Sequence, residues 1–112
     1  MLSENQLFEQ FSNTCLHRVG QLYLTAAQCV EYTEECRKNN LSVARLEGFI
    51  NDNGELTTDL SVIGVFSPKH ETQWNHFMEL CNNNAVEFVT KLRDRAELVF
   101  NPVVLSEQEL RS

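Results

Sequence analysis

Few residues in this sequence have the types and spacing that chemistry requires, and the densest group is FINDNGELTTDL, residues 49–60. It gathers Asp52, Glu55 and Asp59 with Asn51 and Asn53 around Gly54. So many oxygen donors in one loop raise the question of a calcium site. A loop of the EF-hand kind needs acidic or amide ligands at its positions 1, 3 and 5, glycine at 6 and a bidentate glutamate at 12. With Gly54 at the sixth position, Phe49 falls at the first and Leu60 at the last. The pattern fails, and the stretch reads instead as the turn of a hairpin.

A nucleophilic site would need a thiol or hydroxyl beside a histidine held by an acid. The nearest approach is Cys81 with His76 and Glu79. Cys81 lies on an apolar stripe, where a thiol packs rather than attacks. For a metal, His17 and Cys15 are two residues apart, about 200° round a helix axis, and His70 and His76 also fall on different faces. Cys15, Cys29, Cys36 and Cys81 show no CxxC spacing and read as buried reduced thiols. The four glycines are isolated, which rules out a glycine-rich phosphate loop. No catalytic residue, metal ligand or cofactor is therefore expected, and the chain reads as a non-enzyme.

What remains is charge. The net charge is −7, and both halves of the chain are negative. Such a field repels a nucleic-acid backbone. The densest basic cluster, Lys91, Arg93 and Arg95, is interrupted by Asp94 and followed by Glu97. The carboxylates Glu31, Glu34 and Glu35, together with Glu47 and Asp59, form the candidate binding surface, suited to a basic protein partner.

These residues must be carried by elements that the pattern outlines. Ser3 and Gln6 fit a capping box, with Leu2 and Leu7 placed for a hydrophobic staple. Apolar residues then recur from Phe8 through Cys36 at steps of three and four, predicting a long N-terminal helix. Unbroken, it would run about 35 residues and roughly 50 Å, too long for a globule whose radius of gyration should be about 13 to 14 Å. A break at Ser12-Asn13-Thr14 is preferred, with Gly20 a second point of bending. An antiparallel hairpin follows. A three-residue turn, Asp52-Asn53-Gly54, sets Ala44, Leu46 and Ile50 on one face with Leu56, Leu60, Val62 and Phe66. Arg45, Glu47, Thr57, Asp59 and Ser61 take the other face, where Val43 and Ile63 pair and need a cover. Ser67-Pro68 predicts a helix start, and a long helix, weakest at Asn82-Asn83-Asn84, extends over the sheet. Residues 98–105 are β-compatible and form a candidate third strand, and 106–112 read as a frayed tail.

The expected class is α+β in a single domain, 1–112. No run approaches the roughly 20 apolar residues that span a bilayer, and MLSENQLFEQ lacks a signal-peptide pattern, so no membrane contact and a cytoplasmic location are expected. The composition fits a small acidic protein-binding module: an inhibitor or immunity protein, or a secretion-type chaperone, acting on a toxin, nuclease or secreted effector. Two other readings stand beside it. One is a self-associating subunit, a homodimer; the other is a small ligand-binding domain or enzyme whose site comes from residues distant in sequence.

Overall fold

The computed structural model describes residues 1–71 and 73–111. Helix α1 (Glu4–Ser12) begins on the expected capping box, with Ser3 and Gln6 each satisfying the other's backbone N–H. The helix does break at 12–14, but it does not resume at once. Residues 16–23 form a small antiparallel ribbon, β1 (Leu16–Arg18) and β2 (Gln21–Tyr23), before α2 (Ala26–Lys38) starts on a second capping box of Thr25 and Gln28. Val19 and Gly20 form the two-residue turn, both with positive φ (52° and 74°). The mid-helix role expected for Gly20 is thus replaced by a left-handed turn position. An unbroken 50 Å rod would also have exceeded the longest dimension of the molecule, 41 Å. Val19 is a β-branched residue in the left-handed region and fully exposed, a conformation that costs of order 1–3 kcal/mol.

The main sheet has the order β4-β3-β5, all antiparallel, from β3 (Leu41–Asp52), β4 (Glu55–Val65) and β5 (Leu98–Ser106). The expected third strand is therefore present, and it lies beside β3. The class is α+β, with helix α3 (Trp74–Lys91) packed on β3 and against α2. No helix among the described residues is long and apolar enough to cross a membrane.

FINDNG is a turn, shorter than expected by one residue. Asp52 pairs with Glu55, and Asn53 and Gly54 alone form the loop at φ 52° and 94°. Asn51 Oδ1 accepts from the Gly54 N–H at 2.8 Å. Ile50 accordingly pairs with Thr57, the register that facial alternation had argued against. The reason lies further along. Thr58 pairs with Phe49 but Ile63 pairs with Glu47, so residues 59–62 of β4 stand opposite Gly48 alone. This large bulge shifts the register by an odd number and restores the expected facing of Leu46, Val62 and Phe66. Leu60, assigned to the buried face, sits exposed in the bulge instead. Val43 pairs with the buried Val104 rather than with Ile63.

Helix α3 begins at Trp74, not at Ser67-Pro68: the Glu71 carboxylate accepts from the Gln73 N–H and closes a turn of its own, and the Trp74 indole donates to Asn40 Oδ1 at 2.8 Å. The helix passes unbroken through Asn82-Asn83-Asn84. Asn82 is fully buried, accepting from the Val43 N–H (2.8 Å) and donating to the Leu41 carbonyl (3.1 Å). These two backbone groups belong to the edge of β3 beyond the point where β4 has ended, so one side chain stands in for the missing strand. The stretch expected as a frayed tail contains α4 (Glu107–Arg111), entered through reciprocal hydrogen bonds between Ser106 and Glu109. The core joins Leu7 and Phe11 to Cys29, Tyr32 and Cys36, the sheet residues Leu46 and Phe100, and Ala85 and Val89 of α3.

Candidate functional site

A groove of about 660 Å³ lies at the outer edge of β5. On one side stand Glu4, Asn5 and Phe8 of α1; on another, Gly20, Gln21 and Leu22 of the β1–β2 ribbon. Tyr32 lies at its base, and Glu47 and Phe49 border it from β3. The remaining wall is β5 itself, residues 101–104. The volume lies in the range of ligand-binding recesses.

The opening arises because, among the described residues, the chain leaving the ribbon pairs its backbone with the sheet at a single bridge. Leu24 and Phe100 exchange backbone hydrogen bonds at 2.8 and 2.7 Å. Beyond them the Asn101 amide reaches Leu22 O at 2.9 Å, a side chain in place of a ladder rung. Tyr23 covers Phe49 edge-on, with ring centroids 5.1 Å apart.

The groove is negative. No lysine, arginine or histidine is among its lining residues. The Glu4 carboxyl is held above the ordinary carboxylate value, first by burial and then by the nearby Glu109 carboxylate. Glu47 accepts from Arg45 at 3.1 Å along its own strand. Burial keeps the Tyr32 hydroxyl neutral by pushing its pKa far up, helped by Cys36 and Glu4.

The acidic residues singled out in the sequence are distributed over three elements. Glu31, Glu34 and Glu35 lie on α2; Glu47 borders the groove; Asp59 sits in the β4 bulge. Glu34 is drawn to Arg37 (3.4 Å), which also pairs with Glu79 and donates to Asn83 Oδ1 at 2.8 Å, tying α2 to α3. Glu35 pairs with Lys38 at 3.4 Å. Asp59 accepts from the Ser61 N–H and hydroxyl and from Arg95, and these bonds hold its carboxyl below the ordinary value. Among the described residues Glu31 has no ion pair. Only Glu47 of the five lines the groove.

The remaining groove residues, Glu4, Phe8, Tyr32, Phe49 and Asn101, were not singled out in the sequence. A weak signal for them existed in Pro102, since proline inside a strand-like run marks an outward-facing edge.

The sequence-level nucleophile is not assembled. Cys81 is buried and directs its thiol to the Phe66 carbonyl at 3.4 Å, while His76 lies 3.5 Å from Glu71. His17 stands edge-on to Phe8, ring centroids 6.2 Å apart. All four cysteines are free and buried, although Cys15 precedes β1 and is not on a helix face. Burial pushes the thiols of Cys29 and Cys36 up to about 12, and raises that of Cys81. A thiol must ionise to react. Ellman's reagent at pH 8 should therefore detect fewer than about one thiol per native chain within minutes, and about four in denaturant. Rapid labelling of a native thiol would show an accessible thiolate.

No protein-family model matches the chain, and no curated protein matches it in sequence.

Proposed function

We propose that this chain is a non-catalytic, cytoplasmic binding module for a basic protein partner: an inhibitor or immunity protein, or a secretion-type chaperone, for a toxin, nuclease or secreted effector. The observation that carries this reading is the groove, bordered by Glu4 and Glu47 and by three aromatic rings, with no cationic side chain lining it. The aromatic surface offers contact area, and the carboxylates select for positive charge. The ion pairs of Glu34, Glu35 and Asp59 lie at the surface, where solvent screening leaves such pairs little weight in stability. They leave a net charge of −7 that speeds encounter with a basic protein.

The test compares two charge reversals in capture from native cytosol followed by binding kinetics on the recovered partner. Glu4→Lys/Glu47→Lys should weaken binding at least about tenfold, consistent with loss of desolvated charge pairing at the contact. Glu31→Lys/Glu34→Lys/Glu35→Lys should mainly slow association and flatten its salt dependence. A partner bound equally well by both variants defeats the reading.

A self-associating subunit is favoured by a different observation. Val65, Arg45 and Val103 form one row across the outer sheet face and Ile63, Glu47 and Asn101 the next, with Ile63, Val65 and Val103 exposed. Sedimentation at micromolar concentration decides it: a single monomeric species removes the dimer.

A further inference from the structure

The backbone of β5 is oriented in a way that the charge alone does not explain. Phe100 gives its N–H to Leu24 O and accepts from the Leu24 N–H, so its polar backbone groups point away from β3. Alternation along a strand then directs those of Pro102 and Val104 the same way. The other side of the strand is consistent with this, since Val43, the cross-strand partner of Val104, sends its N–H not to β5 but to Asn82. Beyond Phe100, no strand among the described residues lies along this edge. Pro102 and Val104 both line the groove. Proline is tolerated at such a position because its missing N–H breaks no ladder bond. The edge therefore presents two carbonyl acceptors, on Pro102 and Val104, and one donor, the Val104 N–H.

We propose that the groove receives an extended, lysine- or arginine-bearing segment of the partner as an added strand along β5 at Pro102–Val104. The proposal rests on the basic-partner reading and specifies the form the partner takes there. Pairing of an extended peptide on a sheet edge draws affinity from main-chain hydrogen bonds and specificity from the side chains that alternate to either side. Here one side of the added strand meets Glu4, Phe8 and Tyr32, and the other meets the sheet face that carries Glu47 and Val103. Cationic side chains on neighbouring residues of the segment would thus each find a carboxylate. The carbonyl of Pro102 can accept only from an incoming N–H, which fixes which of the segment's amides must face the edge.

The probe is a fluorescein-labelled hexapeptide, Val-Lys-Lys-Val-Lys-Lys, whose adjacent lysines face opposite sides of an extended strand, used with the full chain at low salt. Binding is followed by fluorescence polarisation, and the Val104 amide by hydrogen exchange in NMR. Two further peptides carry N-methyl groups on one or the other alternate set of amides. The expected result is saturable binding, at least a tenfold slowing of Val104 exchange, and at least tenfold weaker binding on methylating one set but not the other. Binding that ignores both methylations and leaves Val104 exchange unchanged overturns strand addition. The charge reading then still stands if Glu4→Lys/Glu47→Lys abolishes that binding. A glutamate-for-lysine peptide that binds equally well overturns both. No binding at millimolar peptide overturns the added strand.

Discussion

Replacing Asn82 with leucine is expected to lower the unfolding free energy by about 2–5 kcal/mol, although the two side chains are similar in size. The loss is not one of packing. Asn82 supplies an acceptor to the Val43 N–H and a donor to the Leu41 carbonyl, and both side chain and strand are buried there. Leucine leaves the two backbone groups without partners and without water, at about 1–3 kcal/mol each. For a domain of this size that corresponds to a fall in melting temperature of about 10–20 °C. Asn84, exposed two residues along the same helix, is the control. Asn84→Ala should be neutral or stabilising by about 0.5 kcal/mol, because alanine is the better helix former. Urea unfolding followed by circular dichroism measures both. Equal effects of the two substitutions would mean that Asn82 does not complete the edge of β3.

The second large effect is expected at Gly48. A Cβ built there would lie 2.5 Å from Val62 Cγ1, 2.7 Å from Val62 Cβ and 3.1 Å from the Val62 carbonyl oxygen. Real side chains do not approach so closely, and two of these three atoms sit at or next to the backbone of β4. Gly48→Ala should therefore destabilise by about 1–3 kcal/mol through overpacking. The clash is with the bulge itself, since Val62 is its last residue and the most deeply buried part of it. Val62→Ala alone removes buried methyl groups and costs stability too. The pair should nonetheless be coupled, because truncating Val62 removes the 2.5 Å contact. In a double-mutant cycle the combined loss should fall short of the sum of the single losses by about 0.5 kcal/mol or more. Strict additivity would show that Gly48 is needed for some reason other than room for Val62.

These two residues also mark where the sequence was legible and where it was not. The α+β class, the capping box at Ser3, the existence of a turn around Gly54 (though not its two-residue length) and the strand over 98–105 were readable because each depends on neighbours in sequence. The β1–β2 ribbon was hidden because Leu22, Ala26 and Cys29 happen to continue the three-and-four spacing of α1, and only Gly20 hinted at a turn. The bulge was invisible because its cause is tertiary: a missing side chain at Gly48 lets Val62 descend, and that contact spans two strands. Asn82-Asn83-Asn84 looked like a weak point since asparagine is a poor helix former. The long-range bonds from Asn82 to β3 override that preference. The groove was illegible for the plainest reason, that Glu4, Tyr32, Glu47 and Asn101 come from four separate elements. Of the acidic residues that composition brought forward, only Glu47 reaches it.

The excursion of β4 at residues 59–62 bears on how the protein behaves when crowded. Among the described residues no strand lies beyond the far edge of β4, and a long straight edge of that kind invites intermolecular cross-β stacking. The excursion divides it into two short paired runs, 55–58 and 63–65. Neither reaches the six or seven residues from which fibrils are built. Leu60 and Val65 can thus remain in water without the edge becoming a template for amyloid.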